Sequence, residues 1–152
     1  MNISKLAHYS IRTTDLPASL KFYTEVIGLR NGWRPPFNFP GHWLYLDEKD
    51  GLEGDQGSVH LIGVDPVDPS GLIEAMGDRD IESLHGSGAV DHIAFFAVNL
   101  PEVRETLTRL GVPYRERTVP TLKVHQMFLE DPSGLVVELN FPFLDENEGA
   151  DA

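Results

Sequence analysis

The sequence predicts an α+β protein in which a βαβββ module occurs twice. Residues 6–11 match residues 90–95 in their pattern, and residues 14–17 match residues 98–101, so the chain repeats at an offset of 84 residues. Each copy then continues with a helix-like stretch that ends at a glycine, and closes with an apolar strand. The offset at that last strand is 78 residues, which predicts shorter loops in the second copy.

The first strand and the helix of each copy have clear local signals. Residues 4–13 and 90–98 are apolar and β-prone, which predicts the opening strands. Asp15 and Asn99 each stand two residues before a proline, at the point where a helical pattern begins, and they are predicted caps. Two glycines stand where a left-handed C-cap is expected: Gly28 and Gly111.

Three short strands should follow each helix. They are predicted over residues 29–34, 42–47 and 57–64, and again over residues 113–119, 123–130 and 134–141. Residues 131–134, Asp-Pro-Ser-Gly, predict the turn between the last two strands. The predicted organisation is a first module over 1–64, a linker over 65–89 with a short helix near 78–85, a second module over 90–142, and an acidic, disordered tail over 143–152, together one domain.

Composition excludes several classes of function. The chain has 152 residues, enough for one domain with its own core, and 41% of them are hydrophobic. It has no cysteine, which excludes disulfides, thiolate metal sites and cysteine nucleophiles. A net charge of -12 disfavours nucleic-acid partners. No apolar run is long enough to span a membrane and no signal-peptide pattern begins the chain, so we expect a cytoplasmic protein.

Four side chains at repeat-related positions predict a metal site. His8 and His92 are predicted in the middle of the first strands, and His60 and Glu138 in the middle of the last strands. If the two sheets curve into a cup, these four side chains can meet near the pseudo-two-fold axis. A lone carboxylate between apolar neighbours is costly to bury unless it is paired or binds a metal. Imidazole and carboxylate ligands suit one divalent ion, either Fe, Zn, Ni, Co or Mn.

These residues and their motifs resemble the vicinal oxygen chelate superfamily of glyoxalases, bleomycin resistance proteins and extradiol dioxygenases. The resemblance covers about residues 4 to 142 and is most specific in the closing strand-turn-strand motif, Phe128 to Leu139. It implies paired βαβββ modules around a divalent metal, a homodimer, and a small-molecule substrate that presents two vicinal oxygens. It implies metal ligands at His8, His92 and Glu138, with His60 as a fourth ligand in glyoxalase- and epimerase-like members.

Three functions are compatible with that resemblance, and we expect the first of them, of the glyoxalase or epimerase type. The first is a lyase or isomerase acting through a metal-bound enediolate, with Glu138 as the catalytic base. The second is a single-domain extradiol ring-cleavage dioxygenase that uses Fe(II) and O2, although Phe128 stands where such enzymes often have tyrosine. Its supporting histidine would have to be His125, re-aimed by a bulge. The third is a non-catalytic, resistance-type protein that binds small molecules.

Five further residues are candidate substrate contacts. Trp33 and Phe37 belong to an aromatic, proline-rich loop that either forms a pocket wall or a dimer interface. Arg12 shares a strand face with His8 and could bind a substrate carboxylate.

Gln126 and Phe128 should share the face of Glu138, and His125 should face away from it. His42 and His85 are predicted surface residues in loops.

Overall fold

Two four-stranded mixed sheets carry the eight strands that the computed structural model describes over residues 6–88 and 90–143. The chain divides into two compact units, Met1–Leu84 and His85–Ala152, each with one sheet. Both sheets have the strand order that a βαβββ module produces, with its first strand parallel to its last. The predicted fold class, α+β with two βαβββ modules, is confirmed.

The first unit begins with the predicted strand and helix. Its elements are β1 (Tyr9–Thr13), α1 (Leu16–Lys21) continued by a π-helical turn (Phe22–Val26), β2 (Arg30–Asn31), β3 (Gly41–Tyr45), β4 (Val59–Gly63), α2 (Ser70–Met76) and a 3-10 turn (Ile81–Ser83). The strand order is β1-β4-β3-β2. Pairing of β3 with β4 places Trp43 opposite His60, and parallel pairing of β1 with β4 places Ser10 on the other side of His60.

The second unit repeats this arrangement. Its elements are β5 (Ile93–Phe96), α3 (Leu100–Leu110), β6 (Arg115–Val119), a 3-10 turn (Pro120–Leu122), β7 (Val124–Glu130) and β8 (Val136–Pro142). The strand order is β5-β8-β7-β6. Here Glu138 of β8 lies between Ala94 of β5 and Phe128 of β7, which is the position of His60 in the first sheet.

Helix termini follow the sequence signals, with one exception. Asp15 accepts a hydrogen bond from the Ala18 amide at 3.0 Å, so it caps α1 as predicted. Gly28 and Gly111 have φ of +86° and +66°, the left-handed geometry that a C-cap needs. Asn99 occupies the predicted N-cap position of α3, but its backbone is left-handed, with φ of 61°, and its side chain donates to Glu102 instead of making a capping bond.

The placement of His8 and His92 in mid-strand is wrong in both copies. Each residue directly precedes its strand, because pairing with the parallel partner strand begins only at Tyr9 in the first copy and at Ile93 in the second. Both histidines lie one residue before the first strand of their sheet, so the repeat between the two copies is preserved. Their side chains are consequently more exposed than those of His60 and Glu138.

The stretch between the modules is more ordered than predicted. The helix expected near 78–85 is only the 3-10 turn Ile81–Ser83, and the main helix is α2, which begins eight residues earlier. Leu72 of α2 is buried and ties it to the first unit. His42 lies in β3 rather than in a loop. Residue 89 of the expected linker and residues 144–152 of the expected disordered tail lie outside the described residues.

The core of each unit is formed by apolar side chains from its sheet and its helical elements. The first unit buries Tyr23, Leu44, Tyr45, Val59 and Leu61, and the second buries Leu107, Met127, Val137 and Leu139. Because strand residues alternate between faces, His60 and Glu138 lie on the faces opposite to those of their buried neighbours Leu61 and Val137.

No helix within residues 6–88 and 90–143 is long and apolar enough to cross a membrane.

Candidate functional site

In the first unit, three rings form a continuous stack. The His60 ring lies 4.0 Å from the Trp43 ring at an angle of 4°, and 3.8 Å from the His8 ring at 21°. Trp43 and His60 meet because they are direct partners across β3 and β4, and His8 approaches from the start of β1. Both predicted ligands of this unit are therefore brought together.

The His60 ring is held neutral, and one of its nitrogens has no partner. Burial lowers the pKa of His60 to about 4, helped by the neighbouring His8, and a hydrogen bond to the Gly57 backbone opposes the shift. Nε2 is buried and makes no hydrogen bond, so Nδ1 makes the bond to Gly57. A bond from Nδ1 to a backbone carbonyl leaves the lone pair on Nε2, which is the form of histidine that binds metals.

A cavity of about 380 Å³ lies beside this stack. Its wall includes Phe37, Phe39 and Trp43 from the aromatic loop and β3, together with His8 and His60. Arg34 also lines it, with its guanidinium 5.0 Å from each phenylalanine ring and one N–H donated to the Phe39 carbonyl at 2.8 Å. Burial lowers the pKa of Arg34. The cavity suits the apolar part of a ligand.

Two other predicted substrate contacts of this unit, Arg12 and Trp33, lie outside this cavity. Arg12 donates to the carbonyls of Met76 and Gly77 at 2.8 and 2.9 Å, so its guanidinium binds the C-terminal end of α2. Trp33 packs edge-on against Trp43 at 6.0 Å, and its carbonyl accepts a bond from Tyr45. Neither belongs to the described wall of the cavity, whereas Phe37 does.

In the second unit, His92 and Glu138 face each other. Nε2 of His92 lies 3.2 Å from Oε2 of Glu138, and Nδ1 lies 2.7 Å from a carboxylate oxygen of Asp91. A carboxylate can only accept, so Nδ1 is the donor to Asp91, and a neutral His92 points its lone pair at Glu138. Two lone pairs at that distance repel each other unless a proton or a cation lies between them.

The Glu138 carboxylate is buried and fixed by two amides. Gln126 Nε2 and Asn140 Nδ2 donate to Oε1 at 2.9 and 2.6 Å, and Gln126 also donates to the Asn140 side chain at 2.9 Å. Phe128 lies directly opposite Glu138 and meets the His92 ring edge-on at 6.2 Å. Gln126 and Phe128 thus share the face of Glu138, which leaves Oε2 directed at His92.

His125 faces the other side of the sheet. It contacts Glu116 at 2.8 Å and Thr118 at 2.9 Å, and Arg104 of α3 binds the same Glu116 through two N–H groups. Pairing of β7 with β8 is unbroken from Val124 to Glu130, so no bulge re-aims His125 toward Glu138. The supporting histidine of a dioxygenase has no counterpart at this position.

The donor set of each unit fits part of a metal site. Within neither unit do the described residues bring three or more His, Asp or Glu side chains together as a metal-binding group. Each unit does hold two of the predicted ligands. The 3.2 Å between His92 Nε2 and Glu138 Oε2 is close to the ~3.0–3.4 Å between neighbouring ligands whose metal bonds are about 2.1 Å. The unpartnered Nε2 of His60 is a further available ligand.

Three relevant residues were not singled out from the sequence. Asn140 could have been found by alternation, because it lies two residues after Glu138 on the same strand. Asp91 precedes His92 directly, but nothing in the sequence indicates that its side chain turns back to the ring. Arg34 is one of several charges in a loop, and only the folded loop places it against Phe37 and Phe39.

Several known proteins are similar to this chain in sequence. Residues 5–139 match the family model of the Glyoxalase/Bleomycin resistance protein/Dioxygenase superfamily. A protein named Glyoxylase I 4 from Arabidopsis thaliana is 25% identical, with 91% of this chain and 71% of that protein covered. Lactoylglutathione lyase from Salmonella typhimurium is 26% identical over 89% of this chain and 90% of that enzyme.

The solved structures extend the likeness to the fold. A fosfomycin resistance protein from Listeria monocytogenes superimposes with a TM-score of 0.61 at 16% identity, covering 94% of this chain and 97% of the other. At that identity the likeness concerns the fold alone. Since the family model spans most of the sequence, this chain belongs to the Glyoxalase/Bleomycin resistance protein/Dioxygenase superfamily.

Proposed function

We propose that this protein is a divalent-metal-dependent lyase or isomerase, and that His8, His60, His92 and Glu138 are its metal ligands. The single observation that carries the proposal is the state of these side chains. Nε2 of His60 is buried without a partner, and Nε2 of His92 faces a buried carboxylate oxygen at 3.2 Å. The first leaves a buried acceptor unsatisfied and the second needs a proton or a cation between its two atoms, and a bound divalent ion would satisfy both.

Similarity supports the class of reaction. Curated relatives at 25–26% identity include lactoylglutathione lyases, which are lyases by name, and the family also contains proteins of other activities. For this chain we propose a substrate with two vicinal oxygens, of which one belongs to a carbonyl. A bound divalent ion would act as a Lewis acid toward that carbonyl.

The residues of the second unit have separate tasks in this proposal. Glu138 would leave the metal and take a proton from the substrate carbon through Oε2, because Oε1 is occupied by Gln126 and Asn140. Asp91 holds Nδ1 of His92 and thereby keeps Nε2 directed at the same oxygen. The two amides and Asp91 are positioning residues, since they act through Glu138 and His92.

In the first unit, the aromatic cavity binds and shields the substrate. Phe37, Phe39 and Trp43 offer an apolar wall beside His60 and His8, so an apolar substituent can be held close to the ligating rings. Water is displaced from that wall on binding, which strengthens the electrostatic interactions near His60.

Metal binding is the first test. We expect one divalent ion per chain after loading with Zn²⁺, Ni²⁺, Co²⁺, Mn²⁺ or anaerobic Fe²⁺, measured by elemental analysis. His60→Ala and Glu138→Gln should each weaken binding strongly. His42→Gln is the matched control, because His42 lies on β3 next to Trp43 but on the opposite face from His60. A protein that takes up no metal, or a control as damaging as His60→Ala, would overturn the proposal.

Activity is the second test. Hydrogen exchange at carbon, followed by NMR in deuterated buffer with α-hydroxy ketones and acyl thioesters, should require the metal and Glu138. Oxygen uptake with catechols instead would assign the chain to ring cleavage. Stoichiometric ligand binding without turnover of any of these compounds would assign it to the resistance-type proteins.

We also propose that the protein is a homodimer. The exposed ring of Phe37 and the half-buried ring of Trp33 are available either for the cavity or for a partner. Light scattering on Trp33→Ala and Phe37→Ala separates the two uses. A monomeric variant with unchanged ligand affinity would place these rings in the interface.

A further inference from the structure

Two arginines of β6 converge on one aromatic ring. The guanidinium carbon of Arg115 lies 4.2 Å from the centre of the Phe128 ring, and that of Arg117 lies 5.1 Å from it. The convergence follows from the register, because Arg115 is the direct partner of Phe128 and Arg117 is the direct partner of Gln126. Both cations therefore lie on the face of the sheet that carries Glu138.

Neither arginine is neutralised by a carboxylate of the residues that the structure describes. Over the described residues, no carboxylate lies within ion-pair distance of Arg115 or Arg117, although the chain has twice as many acidic as basic residues. Arg104 shows the contrast, since its Nε and one terminal nitrogen both donate to Glu116 on the opposite face of the same sheet. Two unpaired like charges within reach of one ring repel each other, and an anion bound between them relieves that repulsion.

The hydrogen-bonding edges of these side chains are available. Stacking on Phe128 uses the face of the Arg115 guanidinium and leaves its N–H groups free to donate in the plane. Arg117 uses only Nε, which donates to Gln126 Oε1 at 2.6 Å, so its two terminal nitrogens remain available. A guanidinium with free edges matches the oxygens of a carboxylate or a phosphoryl group.

A cavity lies next to this pair. It measures about 500 Å³, and Arg115 and Phe128 line it together with Pro113, Tyr114 and Val136. The exposed Glu130 also lines it, beyond ion-pair distance from Arg115. The cavity therefore combines one cationic edge with an apolar and aromatic wall, and its lining residue Phe128 is the direct strand partner of Glu138.

On the basis of the function proposed above, we propose that Arg115 and Arg117 bind the anionic group of the substrate. The substrate is then an organic carboxylate or phosphoryl compound with an apolar body, and its anionic end lies beside Phe128. Phe128 links the two sites, since it contacts the His92 ring and both guanidinium groups.

The test uses the full chain and three probes that share one ring: benzoate, phenyl phosphate and the neutral benzyl alcohol. Affinities are measured by titration calorimetry, once after treatment with EDTA and once after metal loading. The variants are Arg115→Ala, Arg115→Lys and Arg109→Ala. Arg109 is an exposed arginine of α3, so its removal makes the same change in net charge at another place.

We expect Arg115→Ala to weaken binding of benzoate or phenyl phosphate by about tenfold or more, without affecting benzyl alcohol. Arg115→Lys should restore part of that loss, and Arg109→Ala should bind like the parent. The probe that loses more affinity identifies the anion as carboxylate or phosphoryl. Equal affinities in Arg115→Ala and Arg109→Ala, or no preference for the anions over benzyl alcohol, would overturn the inference.

The same titration keeps this inference separate from the proposed metal function. If the protein takes up no metal but the EDTA-treated chain binds anions through Arg115, the metal function fails and the anion site stands. If metal binds with full stoichiometry and Arg115→Ala changes nothing, the anion site fails and the metal function stands.

Discussion

Replacing Gln126 with leucine should weaken metal binding without removing any proposed ligand. Gln126 is buried and donates one of the two hydrogen bonds that Oε1 of Glu138 receives, at 2.9 Å. A hydrogen bond to a charged group contributes about 1.5–3 kcal/mol, and leucine of similar size cannot replace it. The carboxylate would then be held by Asn140 alone, and its orientation toward His92 would be less well fixed.

The substitution should lower both the stability of the protein and its metal affinity. We expect the free energy of unfolding of the EDTA-treated Gln126→Leu protein to fall by about 2 kcal/mol, measured by urea denaturation. We expect its metal affinity to fall by about 10–100-fold, as is typical when a group that orients a ligand is removed. Competition with a chromophoric chelator gives that affinity directly. Asn140→Leu should behave similarly, since it removes the other donor.

His125→Leu is the matched control for this pair of measurements. It changes the adjacent residue of the same strand, but on the face that contacts Glu116 and Thr118. Its metal affinity should equal that of the parent. If Gln126→Leu binds metal as tightly as the parent, or if His125→Leu loses as much, then the amide bonds to Glu138 do not prepare a metal ligand.

Three further outcomes test the two units separately. Metal added to the protein should change tryptophan fluorescence through the stack of Trp43 on His60, so the change should vanish in Trp43→Phe and persist in Trp33→Phe. The hydrogen bonds from Arg104, which has the larger effect, and from His125 lower the pKa of Glu116 from 4.5 to about 2. The ionised carboxylate of Glu116 therefore stabilises the fold above pH 4.5, and this contribution disappears as the pH falls through 2. Glu116→Gln should therefore lower stability by about 1–2 kcal/mol in urea at pH 7, and the difference should shrink at pH 3 and close below pH 2. Gly71→Ala should destabilise the first unit, because the added carbon would fall on the Asn38 carbonyl oxygen, and a melting temperature equal to that of the parent would contradict that packing.

The sequence was a good guide to the fold because the two copies carry the same local signals. Asp15, Gly28 and Gly111 perform the predicted tasks at helix termini, and both sheets have the predicted strand order. The predicted ends of the strands agree less well with the structure. They depend on where a partner strand begins, and propensity along one strand contains no information about its partner.

The candidate site was predictable only where it follows from alternation. Gln126, Phe128 and Glu138 share a face because each strand has a period of two residues. Arg12 was a candidate by the same rule, but its long side chain reaches the end of α2, a helix that the sequence did not reveal. The ring stack on His60 and the two arginines on Phe128 depend on register between strands, which hairpin geometry fixes and composition does not.

The two units support equivalent positions in different ways, and that difference makes a last prediction. Glu138 depends on Gln126 and Asn140, whereas the corresponding positions around His60 are held by Gly41 and Ile62, which have no side-chain donors. A neutral imidazole between Trp43 and His8 has no charge for such donors to stabilise, but a carboxylate at that position would lack both of them.

We therefore expect His60→Glu to lower the free energy of unfolding of the EDTA-treated protein by about 3 kcal/mol or more, because two charge-assisted bonds are missing. His60→Gln, which carries no charge, should lose clearly less. Saturating Zn²⁺ or Ni²⁺ should recover most of the loss in His60→Glu and little of that in His60→Gln, since a cation replaces the missing donors for a carboxylate. Equal destabilisation of the two variants, with no recovery by metal, would mean that the face around His60 already accommodates a charge and that its unpartnered nitrogen does not indicate a metal ligand.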